Sequence, residues 1–250
     1  MSGIITCTGV SKAYRMRPSL GIKEMLVGKH RTNVGGRFSR PWALRDVSFS
    51  VAAGSAFAVI GANGSGKSTL LSLILGTLRP DSGVMRVNGS MAALLALGAG
   101  FHPELTGREN VFLYGSILGM RIREIRERFE QIVEFSELGD AIDNPLRTYS
   151  SGMVTRLGFA TITHVNADVL LVDEVLAVGD LDFQAKCRRY FDEFKARGTL
   201  VIVSHDLDSV AELCDQGLWL DQGVVEYAGP IRQVIERYRH SVTHQSHPVP

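Results

Sequence analysis

The residues best suited to chemistry lie between positions 61 and 69, where the sequence reads GANGSGKST. The spacing G-x-x-x-x-G-K-[ST] follows an apolar run and precedes apolar residues at helical spacing, which predicts a strand–loop–helix unit. Glycines let the backbone N–H groups turn inward around an anion, and Lys67 adds a mobile positive charge. The Ser68 hydroxyl is placed to ligate Mg²⁺, and Thr69 continues a helix whose dipole favours the anion. A glycine-rich turn with a chance lysine is the plainer alternative. The segment predicts a site for the phosphates of a nucleoside triphosphate, formed by Gly61, Ala62, Asn63, Gly64, Ser65, Gly66, Lys67, Ser68 and Thr69.

Acidic and histidine side chains follow two further strand-like runs. Asp173 and Glu174 come directly after the apolar residues 169–172. Carboxylates at the carboxyl end of a buried parallel strand lie where open α/β sheets bind ligands. Asp173 fits the acid that holds Mg²⁺ through water, and Glu174 is placed to polarise an attacking water as general base. His205 follows the run at residues 199–203 and would reach the γ-phosphate at the same edge. The alternatives are a solvated strand end for the two acids and a structural hydrogen-bonding role for the histidine.

Two serines and a glycine, Ser150, Ser151 and Gly152, directly precede a helix-like run. In the simplest interpretation one serine is an N-cap that accepts hydrogen bonds from the first turn of the helix. Alternatively, the exposed N–H groups and hydroxyls of this helix N-terminus form a second phosphate-binding site. These residues alone do not choose between the two roles.

The elements that must position these residues suggest two parts. Strand-like runs at residues 1–100 and 165–230 predict a mixed nucleotide-binding core, while residues 101–164 have a helical pattern. Thr106 and Glu109 have the spacing of a capping box that would begin one of these helices. Residues 236–250 are predicted to form a short C-terminal tail, helical at first and disordered over residues 243–250.

The composition is that of a globular chain. With 250 residues, 45% of them apolar, the chain can bury a substantial core. Three scattered cysteines, Cys7, Cys187 and Cys214, favour reduced thiols over a disulfide framework. The first residues lack the pattern of a secretory signal, and the most apolar stretch, MAALLALGAGF, is about half the length that spans a bilayer. We expect a chain that does not cross a membrane.

The order of these motifs resembles the nucleotide-binding subunit of ATP-binding cassette (ABC) transporters, over about residues 4–235. YSSGM occupies the place of the L-S-G-G-Q signature of that family. The resemblance implies an α/β fold with a P-loop NTPase core, a mixed sheet with an antiparallel β subdomain, and an inserted helical subdomain. It also implies ATP and Mg²⁺ as cofactors, and a homodimer in which the signature of one subunit caps the γ-phosphate held by the other. Tyr14 matches the aromatic residue that stacks on adenine, and Asp180 the acid that communicates across the dimer.

Three longer stretches are similar to one branch of the family, the ATPase subunits of polysaccharide exporters. They are YSSGM…RLGFA, DEVLAVGDLDFQAKC and GAGFHPELTGREN. In this branch the substrates are lipid-linked glycans such as O-antigen, teichoic acid and capsule. The branch implies an ATP-hydrolysing subunit, peripheral at the cytoplasmic face of the cytoplasmic membrane, with two copies of a multi-spanning permease and no nucleic-acid partner. The substrate would reach it through the permease.

The signature and one metal position depart from the family pattern. Ser151 replaces a glycine and Met153 a glutamine of the signature. His102 stands where the family has a glutamine that touches Mg²⁺, and imidazole suits this hard ion less well than an amide oxygen.

Other classes of ATPase remain alternatives. The chain could serve an importer or a drug exporter, although the three stretches argue against both. An ABC-type ATPase of DNA repair or translation usually has long coiled-coil insertions or two cassettes, and a small-molecule kinase needs an acceptor pocket and a lid. Because the sequence ends at residue 250, we expect no appended glycan-binding domain and no measurable affinity for soluble polysaccharide fragments.

Residues 12–45 carry nine Lys or Arg residues and one acid, Glu24, a local charge of +8 (9 minus 1). A solvated loop with an excess of charge is one interpretation. The other places this segment at the membrane surface, beside the permease and the phosphorylated head of the lipid carrier, where basic residues bind anionic lipid. LGIKEMLVGKH would then form a short amphipathic helix, with Arg15, Arg17, Lys23 and Lys29 contributing charge.

Overall fold

The computed structural model describes residues 4–14, 41–94, 98, 100–173 and 179–245. Glu174 and most of the basic segment therefore lie outside the described residues, so the predictions for them stay predictions.

Within these residues, nine strands form two sheets. They are β1 (Ile4–Ala13), β2 (Trp42–Val51), β3 (Ala56–Ile60), β4 (Ser82–Asn88), β5 (Met91–Leu94), β6 (Val169–Asp173), β7 (Thr199–Val203), β8 (Gln216–Asp221) and β9 (Val224–Pro230). A three-stranded antiparallel sheet has the order β2-β1-β4. A six-stranded sheet has the order β5-β6-β7-β3-β8-β9, in which only β9 runs antiparallel to its neighbour. The predicted mixed sheet with an antiparallel subdomain is confirmed.

Seven α-helices accompany the sheets in the described part of the chain. They are α1 (Lys67–Ile74), α2 (Gly107–Ile117), α3 (Ile122–Ser136), α4 (Ser151–Thr163), α5 (Leu181–Lys195), α6 (Leu207–Leu213) and α7 (Ile231–Gln245). Two short 3₁₀ helices, Gly139–Asp143 and Leu146–Thr148, connect α3 to α4. The predicted capping box begins α2: the Thr106 hydroxyl accepts from the Glu109 N–H at 3.2 Å, and the Glu109 carboxylate accepts from the Thr106 N–H at 2.8 Å.

The central strands are buried on both faces, which explains why they read as continuous apolar runs. In β3, Ala58 and Ile60 pack into a core shared with α2–α7. Phe57 and Val59 point the other way, into a core shared with α1 and the antiparallel sheet. Strand β3 is therefore held between two apolar layers, and the loop that follows it begins from a rigid base.

Strand order and register bring the predicted polar residues to one edge. Strand β7 lies between β3 and β6, and all three run parallel. Val203 aligns with Val59 of β3 and with Asp173 of β6. The carboxyl ends of these three strands therefore lie at the same edge of the sheet, and His205 follows β7 there.

Helix α7 continues to Gln245, three residues beyond the predicted helical end at residue 242. Residues 231–247 contain no glycine or proline, so the sequence has no residue of either type that would end the helix before Gln245. Pro248 disfavours helical backbone only at the residue that precedes it. Among the described residues, no helix combines the length and the hydropathy that crossing a bilayer requires.

The three cysteines are free and buried, in agreement with the predicted reduced thiols. Burial raises the pKa of Cys7, Cys187 and Cys214 to about 12, so each thiol is protonated at neutral pH.

Candidate functional site

The phosphate loop, residues 61–68, connects β3 to α1 and is pressed against two neighbouring strands. A Cβ atom on Gly61 would lie 2.1 Å from the carbonyl oxygen of Leu220 in β8. A Cβ on Gly66, whose φ is +108°, would lie 2.5 Å from the carbonyl oxygen of Ala43 in β2. Only glycine permits both close approaches, so the two glycines fix the path of the loop.

Lys67 folds back over this loop. Its side chain is buried, with 8% of the residue exposed, and its ammonium donates to the carbonyl oxygens of Gly61 at 2.8 Å and Ala62 at 2.9 Å. A buried ammonium needs such acceptors, because leaving it without partners away from water is costly. The contacts hold the positive charge inside the loop, where the oxygens of a bound phosphate would meet it.

A cavity of about 350 Å³ opens beside the loop; we call it the phosphate cavity. It is lined by Ala43, Asn63, Gly64, Gly66, Lys67, Ser68, Thr69 and Asp173. The fold thus places Asp173 and Ser68, which are 105 residues apart in sequence (173 minus 68), at one cavity. A hydroxyl and a carboxylate are hard oxygen donors of the kind that Mg²⁺ prefers, so this pair fits the ion.

Three predicted loop residues do not line the phosphate cavity. Gly61 and Ala62 contribute the carbonyl oxygens that hold Lys67. The Ser65 hydroxyl is buried and makes no hydrogen bond among the described residues, while its N–H donates to the Ala62 carbonyl at 3.1 Å. These three residues therefore make contacts within the loop instead of lining the cavity.

Tyr14 lies beside the start of α1. Its ring is half-exposed, and its hydroxyl is 3.4 Å from the Thr69 hydroxyl. The aromatic residue predicted to contact the base therefore lies next to Thr69, which lines the phosphate cavity, and is about half exposed.

His205 follows β7 at the same edge but does not line the phosphate cavity. The next residue, Asp206, caps α6 by accepting from the Asp208 N–H at 3.1 Å and the Ser209 N–H at 3.3 Å. A hydrogen bond from the Ser209 hydroxyl, together with these N–H groups and the charge of His205, lowers the pKa of Asp206. His205 thus directly precedes the residue that caps α6, and its predicted contact with a γ-phosphate stays a prediction.

Of the two roles predicted for the serines before α4, the structure shows the N-cap. The second role, a phosphate-binding site, stays a prediction. The Ser150 hydroxyl accepts from the Met153 N–H at 3.2 Å, so Ser150 is the N-cap of α4. Ser150, Ser151 and Gly152 also line a cavity of about 730 Å³, together with Glu137, Arg156 and Asp180. We call this the signature cavity. Among the described residues, it has no lining residue in common with the phosphate cavity.

The signature cavity contains an ion-pair network that the sequence did not reveal. Arg156 donates to the Glu137 carboxylate at 3.0 Å and to the carboxylate of Asp180. Asp180 in turn accepts from the Phe183 N–H at 3.0 Å and so caps α5. Asp180 therefore lies with the signature serines of its own chain rather than in the phosphate cavity.

The sequence also did not reveal the structural role of Asn110, which lies in the stretch TGREN. It is fully buried; its side-chain oxygen accepts from the His102 N–H at 2.7 Å, and its amide nitrogen donates to the carbonyls of His102, Leu105 and Thr106. The adjacent backbone is bonded to the segment before the signature, because the Arg147 N–H donates to the Pro103 carbonyl at 2.9 Å. His102 is exposed on this braced loop.

Comparisons with known proteins agree with this arrangement. The sequence profile of the ABC transporter family matches residues 44–177. The chain is 43% identical over 245 residues to the O-antigen export system ATP-binding protein RfbB of Klebsiella pneumoniae, covering 97% of this chain and 100% of that protein. It is 40% identical over 242 residues to the teichoic acids export ATP-binding protein TagH of Bacillus cereus, covering 96% of this chain and 43% of that protein.

Solved structures show the same fold. The ATP-binding subunit of an ABC transporter superposes with a TM-score of 0.76 at 20% identity, over 96% of this chain and 99% of that one. A dimeric ATP-binding cassette, MJ0796, in a post-hydrolysis state with ADP and Pi, gives a TM-score of 0.71 at 21% identity, over 91% and 99% of the two chains. The chain therefore belongs to the ABC transporter family of ATPases, and its relatives there include ATP-binding subunits of O-antigen and teichoic acid export systems.

Proposed function

We propose that the chain is the ATP-hydrolysing subunit of a membrane exporter that moves lipid-linked polysaccharide across the cytoplasmic membrane. The observation that carries the ATPase part is the phosphate cavity, which joins Lys67, Ser68 and Asp173. The export part is supported by the full-length similarity to RfbB, which is named for O-antigen export.

The residues of the site have separable proposed roles. The N–H groups of the phosphate loop and the Lys67 ammonium bind the phosphates of ATP, and Tyr14 stacks on the adenine. Ser68 and Asp173 would hold Mg²⁺, which when bound neutralises phosphate charge. Glu174, next to Asp173 in the sequence, accepts the proton of the attacking water, and His205 contacts the γ-phosphate.

The signature cavity supplies the other half of each site in a homodimer. Because the two cavities of one chain have no described lining residue in common, each ATP would use the phosphate cavity of one subunit and Ser150, Ser151 and Gly152 of the other. A two-fold axis makes this exchange reciprocal. The dimer would bind two permease subunits at the cytoplasmic face of the membrane and stay peripheral to it.

Replacing the proposed base tests the ATPase part. In Glu174→Gln the side chain keeps its shape but loses its basicity, so ATP should bind normally while hydrolysis falls by roughly two orders of magnitude or more. Equilibrium binding of a fluorescent ATP analogue and steady-state phosphate release measure the two effects. Turnover close to wild type would exclude Glu174 as the base.

Depletion of the subunit in cells tests the export part. Lipid-linked glycan should accumulate on the cytoplasmic side, and wild-type protein but not Glu174→Gln should restore its appearance at the cell surface. Normal surface glycan in depleted cells would exclude polysaccharide export while leaving the ATPase assignment intact.

A further inference from the structure

We propose that Asp81 is a positioning residue for binding of the adenine base, because it holds the end of β1 and Tyr14 is the next residue of the chain. Asp81 lies in the connection between α1 and β4, and it lines neither the phosphate cavity nor the signature cavity. It would therefore act through Tyr14 without touching the nucleotide itself. The inference rests on the proposed function, in which Tyr14 stacks on the adenine.

Three polar contacts join the last residues of β1 to Asp81. The Asp81 carboxylate accepts from the Ala13 N–H at 2.9 Å and from the Lys12 ammonium at 3.1 Å. The Asp81 N–H in turn donates to the Ser11 carbonyl at 2.8 Å. Because these three residues of β1 are consecutive, the backbone that leads into Tyr14 is attached to the connection between α1 and β4.

Lys12 makes this attachment firmer. Its ammonium also donates to the Arg79 carbonyl at 2.8 Å, and its side chain is only 15% exposed. An ion pair that is exposed on both sides contributes little, because each partner keeps its water and its freedom. Here the cation is largely removed from water and has a second acceptor in the same connection. The Asp81 carboxylate also accepts a backbone N–H, so the pair constrains the strand end more than an isolated surface pair does.

On its other side β1 pairs with β2, and that ladder is irregular near Tyr14. The register shifts between Val10 and Lys12 and again between Lys12 and Ala13. Shifts of this kind interrupt the hydrogen bonds of a ladder. The end of β1 therefore depends on Asp81 more than the end of a regularly paired strand would.

The contacts that Tyr14 makes itself are weak. Its N–H donates to the Pro41 carbonyl at 3.3 Å, and its hydroxyl is 3.4 Å from the Thr69 hydroxyl. Both distances exceed the usual ranges, about 2.7–3.2 Å for N–H···O bonds and about 2.5–3.0 Å for O–H···O bonds. The position of the ring is therefore set chiefly by the preceding backbone, which Asp81 holds.

A loosened strand end should affect the base and spare the phosphates. Tyr14 would meet the base in only a fraction of the molecules, and the apparent dissociation constant rises as that fraction falls. The phosphates are bound at the phosphate loop, whose path Gly61 and Gly66 fix through other contacts. Removal of the Asp81 carboxylate should therefore weaken the binding of ligands that carry a base, but not of ligands that consist of phosphates alone.

Calorimetric titration of the purified full chain with two ligands tests this separation. The ligands are the non-hydrolysable β,γ-imido analogue of ATP and inorganic tripolyphosphate. We expect Asp81→Ala to raise the dissociation constant of the ATP analogue roughly three- to tenfold, which lies within the loss expected for one stacking contact. The dissociation constant of tripolyphosphate should stay within roughly twofold of wild type.

Combining Asp81→Ala with Tyr14→Ala shows whether Asp81 acts through the tyrosine ring. Substitutions of residues that act through one another are not additive. Tyr14→Ala alone should weaken binding of the ATP analogue at least as much as Asp81→Ala does. Adding Asp81→Ala to Tyr14→Ala should then change the dissociation constant by less than about twofold, whereas a general loss of stability would lower the affinity in both backgrounds.

Asp143→Ala is the matched control. Asp143 also accepts from a cation, Arg108 at 2.7 Å, but it lies between α3 and α4 and lines neither cavity. The same substitution there should leave both dissociation constants at their wild-type values. Lys12→Met is the second variant, which removes the ion pair and leaves the Ala13 N–H bonded to Asp81. It should raise the dissociation constant of the ATP analogue roughly threefold and leave that of tripolyphosphate unchanged, and it decides the question if Asp81→Ala fails to fold.

Four outcomes would overturn the inference alone. They are unchanged binding of the ATP analogue by Asp81→Ala (or by Lys12→Met, if Asp81→Ala fails to fold), an equal loss of both ligands, a further loss in the Tyr14→Ala background, and the same loss in Asp143→Ala. Wild-type affinity of Tyr14→Ala for the ATP analogue would instead contradict the proposed role of Tyr14, and the inference with it.

Discussion

Gly66 shows how a single position in the phosphate loop is fixed by its neighbours. Its φ of +108° is unfavourable for other residues, and an added Cβ would lie 2.5 Å from the Ala43 carbonyl oxygen. We expect Gly66→Ala to lower the free energy of unfolding by on the order of 1–3 kcal/mol. Gly64→Ala is the control, because Gly64 has a φ of +80° but no atom within 4 Å of the added Cβ. Chemical denaturation should show a smaller loss for Gly64→Ala, and equal losses would contradict the role of the Ala43 contact.

Variants of Lys67 and Tyr14 distinguish the binding of the phosphates of ATP from the binding of its base. A charge-assisted hydrogen bond is worth about 1.5–3 kcal/mol, so Lys67→Met should weaken ATP binding by on the order of tenfold or more. It should leave the weak binding of adenosine unchanged, since adenosine has no phosphate. Tyr14→Ala should weaken both ligands, because stacking concerns the base. Calorimetric titration of each variant with each ligand measures the pattern, and a loss of adenosine binding in Lys67→Met would contradict it.

At the scale of elements, the capping box of α2 gives a pH-dependent contribution to stability. Hydrogen bonds from the Thr106 N–H and then from its hydroxyl lower the pKa of Glu109 below its ordinary value of 4.5. The folded state therefore favours the ionised carboxylate. This contribution is fully present above the ordinary glutamate pKa and is lost as the pH falls through the lower, folded-state pKa.

Glu109→Gln isolates this effect. The amide can still accept the hydrogen bonds but carries no charge, so wild type should be more stable than the variant at neutral pH. The difference in free energy of unfolding should shrink as the pH is lowered past 4.5. Denaturation at several pH values measures it, and a difference that is constant or grows towards acid would contradict the assignment.

The sequence was informative about strands and much less so about contacts between distant elements. The runs around Val59, Leu171 and Val201 are apolar at successive positions because both faces of the sheet are covered, and that pattern is visible without a structure. Helical spacing reveals partners only three or four residues apart, whereas Arg156 pairs with acids 19 and 24 residues away. A fully buried polar residue such as Asn110 is equally hidden, because its partners are the backbone groups of a loop.

At the scale of the whole molecule, the two cavities of one chain serve different ATP sites in the proposed dimer. A substitution in one cavity should therefore impair a different ATP site from a substitution in the other cavity of the same chain. Lys67→Ala disables a phosphate cavity, and Ser150→Arg fills a signature cavity with a larger charged side chain. Ser150→Arg also removes an N-cap, at a cost of about 1 kcal/mol, which a folded domain tolerates. Differently tagged chains allow mixed dimers of defined composition to be purified.

The arrangement of the two changes then distinguishes shared from self-contained sites. With both changes on one chain and a wild-type partner, reciprocal sharing damages both composite sites, because each site uses one element of the altered chain. With the changes on opposite chains, both defects fall on the same composite site and the other stays whole. We therefore expect the dimer with changes on opposite chains to hydrolyse ATP faster than the dimer with both changes on one chain. Self-contained sites predict the reverse order, since a wild-type partner would then keep one complete site. Phosphate release from the two mixed dimers, compared with a tagged wild-type pair, decides between these orders.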